Sequence, residues 1–325
     1  MTLPISNEDA AWFAETFAQL TDNIGQGLLG KTHVIRLSLT CLLTGGHLLL
    51  EDAPGTGKTA LARAIAATVR GSHKRIQFTP DLLPSDITGT NMYDQESRKW
   101  NFHRGPVFAS IVLADEINRA SPKTQSALLE VMGEGYVTID GERHAAERPF
   151  MVIATQNPVE QAGTYRLPEA QLDRFMMKTS LGFPDRAAAV QILAGAAHPD
   201  RAAGLHAIIS SDAVIEMSEL ASTTYIEDAV LDYVQRLSEA TREDKHTALG
   251  VSTRGSIAMV QAARVWAAAH SRTYVLADDV KELAGPVWTH RIVMSPESEF
   301  SGETADKVLA RVLSTTSAPM ARGAG

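Results

Sequence analysis

The segment HLLLEDAPGTGKTALARAI, from His47 to Ile65, constrains this chain more than any other. It reads as a short apolar strand, a glycine-rich loop and an amphipathic helix. Gly55 and Gly57 let backbone N–H groups turn onto phosphate oxygens. A helix that starts near Lys58 adds its positive N-terminal end. Asp52, Ala53, Pro54, Gly55, Thr56, Gly57, Lys58, Thr59 and Ala60 then surround the phosphates of a bound ATP. Lys58 reaches the β- and γ-phosphates, and the Thr59 hydroxyl ligates Mg2+. The P-loop pattern begins with a glycine, where this chain carries Asp52. A carboxylate there must point away from the phosphates or pair with a cation. The plain alternative is a glycine-rich turn ahead of a surface helix; the flanks and a second motif weigh against it.

That second motif is SIVLADE, whose apolar run ends at Ala114 and is followed by Asp115 and Glu116. Asp115 at a strand tip holds magnesium through water beside Thr59. Glu116 orients and deprotonates the attacking water. FMVIATQNP reads as a further strand, and Asn157 at its tip holds that water against the γ-phosphate. Taken alone, Asn157 is equally a turn former before Pro158.

GHLLLED, RIQFT, SIVLADE and FMVIATQN are short apolar runs that suit strands buried on both faces. Between them, TALARAIAATVR places Leu61, Ile65 and Val69 on one stripe. SPKTQSALLEVMGEG has Ser121 as N-cap, Pro122 at the first helical position, and Gly133 or Gly135 as stop. Strand–helix alternation predicts a parallel sheet with helices on both sides. NMYDQESRKWNFHRG and YVTIDGERHAAERPF read as inserted β-hairpins, the second turning at Asp140-Gly141. Near Phe183-Pro184-Asp185 the pattern changes to amphipathic helices, AVLDYVQRLSEATRE and RGSIAMVQAARVWAAAHSR among them. The expected division is an α/β nucleotide-binding core over 1–184, a small all-helical domain over 185–312 and a flexible tail over 313–325.

The net charge of −8 disfavours non-specific nucleic-acid binding. The N-terminus lacks a signal-peptide pattern, and the most apolar stretch, Leu37 to Leu50, is too short to span a bilayer. The single cysteine, Cys41, sits in an apolar run and reads as a core residue. Together these features suit a cytoplasmic protein.

GPVFASIVLADEINRASPKTQSALLEVMGEGYVTIDG, ATQNPVEQAGTYRLPEAQLDRF and FTPDLLPSDITG resemble the MoxR family of AAA+ ATPases. The resemblance runs from about residue 24 to 293, and MoxR-like loops often lack the first glycine. It implies a P-loop AAA+ core with a central parallel sheet and inserted hairpins, followed by a helical lid that closes over ATP. Asn157 resembles the sensor-1 residue, Arg174 the arginine finger aimed at a neighbouring subunit's nucleotide, and Arg254 the sensor-2 arginine of the lid. Leu28, Leu29 and Gly30 fall where the family's adenine-contacting segment precedes the first helix. Two guanidiniums at a transferring phosphoryl group neutralise developing charge. His290-Arg291 is a further basic pair for a subunit interface, or simply the end of a helix. Trp100 and Phe102 either contact a client or pin their hairpin to its own domain.

The same resemblance implies a homo-hexameric ring, chaperone-like remodelling or metal or cofactor insertion for a protein client, and a partner with a von Willebrand factor A domain. No nucleic-acid partner is expected, because the first hairpin mixes Arg98, Lys99 and Arg104 with Asp94 and Glu96. A nucleic-acid motor, a magnesium-chelatase motor and a nucleotide-gated scaffold that does not hydrolyse ATP stand as the alternatives.

Overall fold

In the computed structural model, which describes residues 4–157, 164–195 and 201–319, the four apolar runs become neighbouring strands of one sheet. The chain begins with helices α1 (Asn7–Gly27) and α2 (Thr32–Leu43), then β1 (Leu48–Glu51), α3 (Lys58–Thr68) and β2 (His73–Gln77). Helix α4 (Pro84–Thr88) leads into a hairpin of β3 (Gly89–Asp94) and β4 (Lys99–Arg104), then β5 (Ile111–Asp115) and α5 (Pro122–Glu134). The second hairpin pairs β6 (Tyr136–Ile139) with β7 (Glu142–Ala145). It is followed by β8 (Met151–Gln156), α6 (Glu169–Leu172), β9 (Met177–Thr179) and α7 (Arg186–Ala194).

The sheet order is β2-β5-β8-β1-β9, and the pairs β2–β5, β5–β8 and β8–β1 are parallel. Every residue of β5 is buried, which explains its unbroken apolar run: both of its faces are covered. The edge strand β2 buries only Ile76 and leaves Lys74, Arg75 and Gln77 exposed. Charges on an edge discourage further strand pairing. Register aligns Gln77 with Asp115 and Glu51 with Gln156, so the polar strand ends gather at one end of the sheet. Strand β9 has only three residues, too few for a hydrophobic pattern to announce it.

Helix α5 forms as its sequence requires. The Ser121 side chain accepts from the Thr124 amide, Pro122 opens the helix, and Gly135 closes it at φ +72°. Gly133 stays inside the helix. A Cβ there would lie 2.3 Å from Nη1 of Arg174, so this glycine makes room for that side chain.

Asp140 and Gly141 both have positive φ, the conformation of a tight hairpin turn. The two hairpins are joined. Asn91 Nδ2 donates to Asp140 Oδ2 at 2.6 Å, and the Phe102 ring stacks on His144 at 4.0 Å. Phe102 also packs on the core cluster, whereas Trp100 is 69% exposed beside Tyr93. The aromatic pair therefore divides: Phe102 pins the hairpin and Trp100 faces solvent.

After α7 come α8 (Ser211–Ser222), α9 (Asp228–Glu243), β10 (Thr247–Leu249), α10 (Thr253–Ala268), α11 (Ala277–Trp288), β11 (Val293–Met294), α12 (Pro296–Phe300) and α13 (Ala305–Thr315). Two compact units emerge, one of Gln19–Phe175 with Thr179–Ile215, the other of Met1–Ala18, Met176–Lys178 and Glu216–Gly325. They do not divide at residue 184. The segment after it packs back on α3: Ile208 N donates to Thr68 O, and Asn23 Nδ2 bridges Thr68 Oγ1 and His206 O.

The second unit has its own core around Tyr233, Trp266 and Trp288. Asp279 accepts two guanidinium bonds from Arg272 and the Leu276 amide, which caps α11. From Glu216 on, the described residues of the unit are helical apart from the β10–β11 ladder and one bridge between Tyr225 and Tyr274. His290 and Arg291 are buried, and the Arg291 guanidinium donates to the Val287 carbonyl, so the pair is structural rather than presented to a neighbour. Helix α13 runs through Thr315, beyond the expected start of the tail at 313; residues 320–325 lie outside the described residues. Cys41 is free and buried. No helix among the described residues is long and apolar enough to cross a membrane.

Candidate nucleotide site

The loop between β1 and α3 turns through Gly55 at φ +82° and Gly57 at φ +102°. Gly57 is the N-cap of α3, so the helix's first N–H groups open onto the loop. Leu28 closes the other side: a Cβ on Gly57 would lie 2.9 Å from Leu28 Cδ1. Leu28, Leu29 and Gly30 lie between α1 and α2, not ahead of the first helix.

Two cavities flank this loop. One, of about 410 Å³, is lined by Pro54, Gly55, Gly57, Lys58, Thr59, Arg75, Gln77, Asp115, Glu116, Thr155 and Asn157. The other, of about 460 Å³, is bounded by Leu28, Leu29, Thr56 and Ala60 on one side and Pro184, Ile192 and Leu193 on the other. Gly55 and Gly57 belong to both. The first is ringed by the charged and polar side chains of Lys58, Thr59, Arg75, Gln77, Asp115, Glu116, Thr155 and Asn157 and fits a phosphate chain. The second is mostly apolar and fits a flat base.

Asp52, the departure from the glycine pattern, is buried. Its carboxylate turns onto the segment after β9, where it accepts from the amides of Leu181 (2.6 Å) and Gly182 (2.9 Å) and the hydroxyl of Ser180 (2.8 Å). It takes amides rather than a cation as partners. Ala53 and Gly30 do not line the cavities; the Ala53 carbonyl accepts from Lys58 Nζ at 3.0 Å, as the Asp52 carbonyl does at 3.1 Å.

The acidic pair is wired into its surroundings. Asp115 Oδ1 accepts from Thr155 Oγ1 at 2.7 Å, and Asp115 Oδ2 pairs with Arg75 Nη2 at 2.5 Å. The same Nη2 donates to Gln77 Oε1 at 3.0 Å, while Gln77 Nε2 donates to Glu116 Oε2 at 2.9 Å. Arg119 Nε lies 3.1 Å from Glu116 Oε2. Glu116 takes φ +57°, a left-handed conformation costly for a residue with a Cβ, and its amide donates to Thr155 Oγ1 at 2.8 Å.

Arg75, Gln77 and Thr155 complete the site beyond the residues that motifs pointed to. The alternation of β2 held the signal, since polar Arg75 and Gln77 flank buried Ile76 at a period of two. Asn157 lies in the same cavity, but Pro158 and the residues to Gly163 lie outside the described residues. Arg174 does not line either cavity; its Nη1 donates to Leu129 O at 2.6 Å. Arg254 is exposed in the first turn of α10, in the other unit.

The donor set suits magnesium. The Thr59 hydroxyl and the Asp115 carboxylate are hard oxygens lining one cavity. No cluster of three or more His, Cys, Asp or Glu among the described residues forms an all-protein cage. Two such oxygens suit an ion that keeps several waters and binds largely through phosphates.

A phosphate loop and an acidic strand tip on a parallel sheet of this order define an AAA+ ATPase. Residues 47–177 match the family model described as ATPase family associated with various cellular activities (AAA), and residues 239–312 match that of the AAA lid domain. The chain is 43% identical to the uncharacterized protein YeaC of Bacillus subtilis, over 93% of this chain and 95% of that protein. It is 39% identical to chaperone MoxR1 of Mycobacterium tuberculosis, over 90% of this chain and 79% of that one. A crystal structure of a candidate ATPase from Cytophaga hutchinsonii superposes with a TM-score of 0.90 at 36% identity, covering 96% of this chain and 98% of that one. The chain belongs to the MoxR family of AAA+ ATPases.

Proposed function

We propose that the protein hydrolyses ATP to ADP and phosphate in a homo-oligomeric ring, and uses the cycle to remodel a protein client. The observation that carries this reading is the cavity shared by Lys58, Thr59, Asp115, Glu116 and Asn157 at the polar end of the sheet. Lys58 leaves the carbonyls it now contacts for the β- and γ-phosphates. Leu28 and Leu29 flank the base. Glu116, freed from Gln77 and Arg119, accepts a proton from the attacking water, and Asn157 orients that water. Thr59 and Asp115 would hold magnesium, which supplies charge neutralisation on the phosphates when bound. Arg174, acting in a neighbouring subunit, and Arg254, on the helical unit, are assigned by family resemblance to the charge of the transferring phosphoryl group.

The chaperone name of a relative supports the client role. A hexameric ring, metal or cofactor insertion, a von Willebrand factor A partner and a cytoplasmic setting belong to the same proposal. Magnesium-dependent hydrolysis measured against protein concentration tests it, with Glu116→Gln and Arg174→Ala alongside. Specific activity rising with concentration, with both variants binding ATP but failing to turn it over, is the expected result. ATP binding without turnover at any concentration, with candidate partners added, would leave a nucleotide-gated scaffold as the better account. Stimulation by DNA would point to a nucleic-acid motor.

A further inference from the structure

Asp115 is the carboxylate expected to hold magnesium, yet both of its oxygens already have partners. Thr155 takes one, and the other lies 2.5 Å from Arg75 Nη2. The two ends of that ion pair differ in exposure: the Asp115 side chain is 11% exposed and that of Arg75 49%. An almost buried carboxylate without a counter-charge is costly, and a nearby phosphate chain would raise that cost. A half-exposed guanidinium at the rim of the cavity can return to water at little expense. Arg75 stands on the edge strand β2, where no further strand confines it.

On the reading that this cavity binds magnesium nucleotide, we propose that Arg75 is a tethered counter-ion. It supplies positive charge at Asp115 while the metal is absent and gives way when magnesium arrives with the nucleotide. Arg75 thereby sets how strongly nucleotide binding depends on the metal. Gln77 accepts from Arg75 through Oε1 and donates to Glu116 through Nε2, so the guanidinium is linked to the side chain beside the proposed base, which Arg119 holds as well.

The experiment reads a ratio. The Kd of a fluorescent, non-hydrolysable ATP analogue is measured in EDTA and in saturating Mg2+ for wild type, Arg75→Gln and Arg75→Lys. In Arg75→Gln an uncompensated Asp115 repels the metal-free analogue and accepts the metal without a competitor. The Kd ratio, EDTA over magnesium, then rises about two- to fivefold, the range expected if the Arg75 contact is worth what a partly exposed ion pair is worth. Arg75→Lys returns the ratio toward wild type. In an Asp115→Asn background, Arg75→Gln changes the ratio less than about twofold, because the charge that Arg75 serves is gone.

An equal change of Kd in both conditions would overturn the proposal, since Arg75 would then be a general support of the fold or a permanent phosphate contact. A ratio unchanged in Arg75→Gln, with Kd values unchanged, overturns it too. Failure of the wild type to bind the analogue in either condition would instead sink the nucleotide reading itself, and the proposal with it.

Discussion

The two ends of the central sheet treat polar groups in opposite ways. At the carboxyl end, Asp115 and Glu116 carry charge, face a cavity and hold partners that can leave: Arg75, Gln77 and Arg119. At the amino end, just ahead of β1, His47 is buried between α5 and β8. Its Nε2 lies 3.0 Å from Met132 O and its Nδ1 accepts from Val152 N at 3.0 Å. Burial lowers the His47 pKa to about 4. One end is a set of exchangeable contacts, and the other is a neutral joint with each ring nitrogen used once.

The largest expected effect breaks the carboxyl end at Asp52. Asp52→Gly restores the glycine of the common loop pattern but strands two amides and a hydroxyl that now share one carboxylate. Stability falls by about 3–4 kcal/mol, read from the denaturant midpoint. An unchanged midpoint would mean that the loop does not depend on this latch.

The amino end is tested by pH. The folded value for His47, about 4, lies below its ordinary 6.5. The stability tied to the neutral ring is therefore complete above 6.5 and is lost as pH falls toward 4. The loss reaches about 3 kcal/mol over that window. His47→Gln, less stable at neutral pH, loses that part of the acid slope in denaturation curves taken across the window. A slope that survives the substitution would assign it to other groups.

Thr155 sharpens the comparison, because its hydroxyl donates to Asp115 and accepts the Glu116 amide. Thr155→Val lowers turnover by roughly 10–100-fold while nucleotide affinity measured without magnesium stays within about twofold, as for residues that orient a metal ligand. Loss of affinity in step with turnover would make Thr155 a general support.

The smallest effect lies at the amino end, where Glu147 Oε2 accepts from Ser72 Oγ (2.6 Å) and Ser110 Oγ (2.8 Å), the residues leading into β2 and β5. Glu147→Gln costs about 1 kcal/mol and leaves turnover untouched. A change in turnover would show the two ends to be coupled.

Much of the nucleotide end was legible because phosphate chemistry imposes local patterns. Gly55 and Gly57 must turn, Lys58 must follow, and Asp115 and Glu116 must end an apolar run. Each is readable within a few residues. The α5 caps and the Asp140-Gly141 turn were legible for the same reason. What stayed hidden depends on neighbours distant in sequence. Arg75 and Thr155 matter because β2 and β8 lie on either side of β5. Asp52 makes sense only once the segment after β9 is seen to offer it amides. The division at residue 184 failed as a guide to the compact units because a change from strand-rich to helix-rich pattern says nothing about which surface α7 and its successor pack against. His290-Arg291 read as an interface pair or simply the end of a helix, and a buried guanidinium serving carbonyls carries the same sequence signature.

The bond from Asn91 to Asp140 and the stack of Phe102 on His144 have a mechanical meaning. Two hairpins far apart along the chain are tied at these two points, so removing the Asn91–Asp140 bond and the Phe102–His144 stack would leave each tip to follow only its own root.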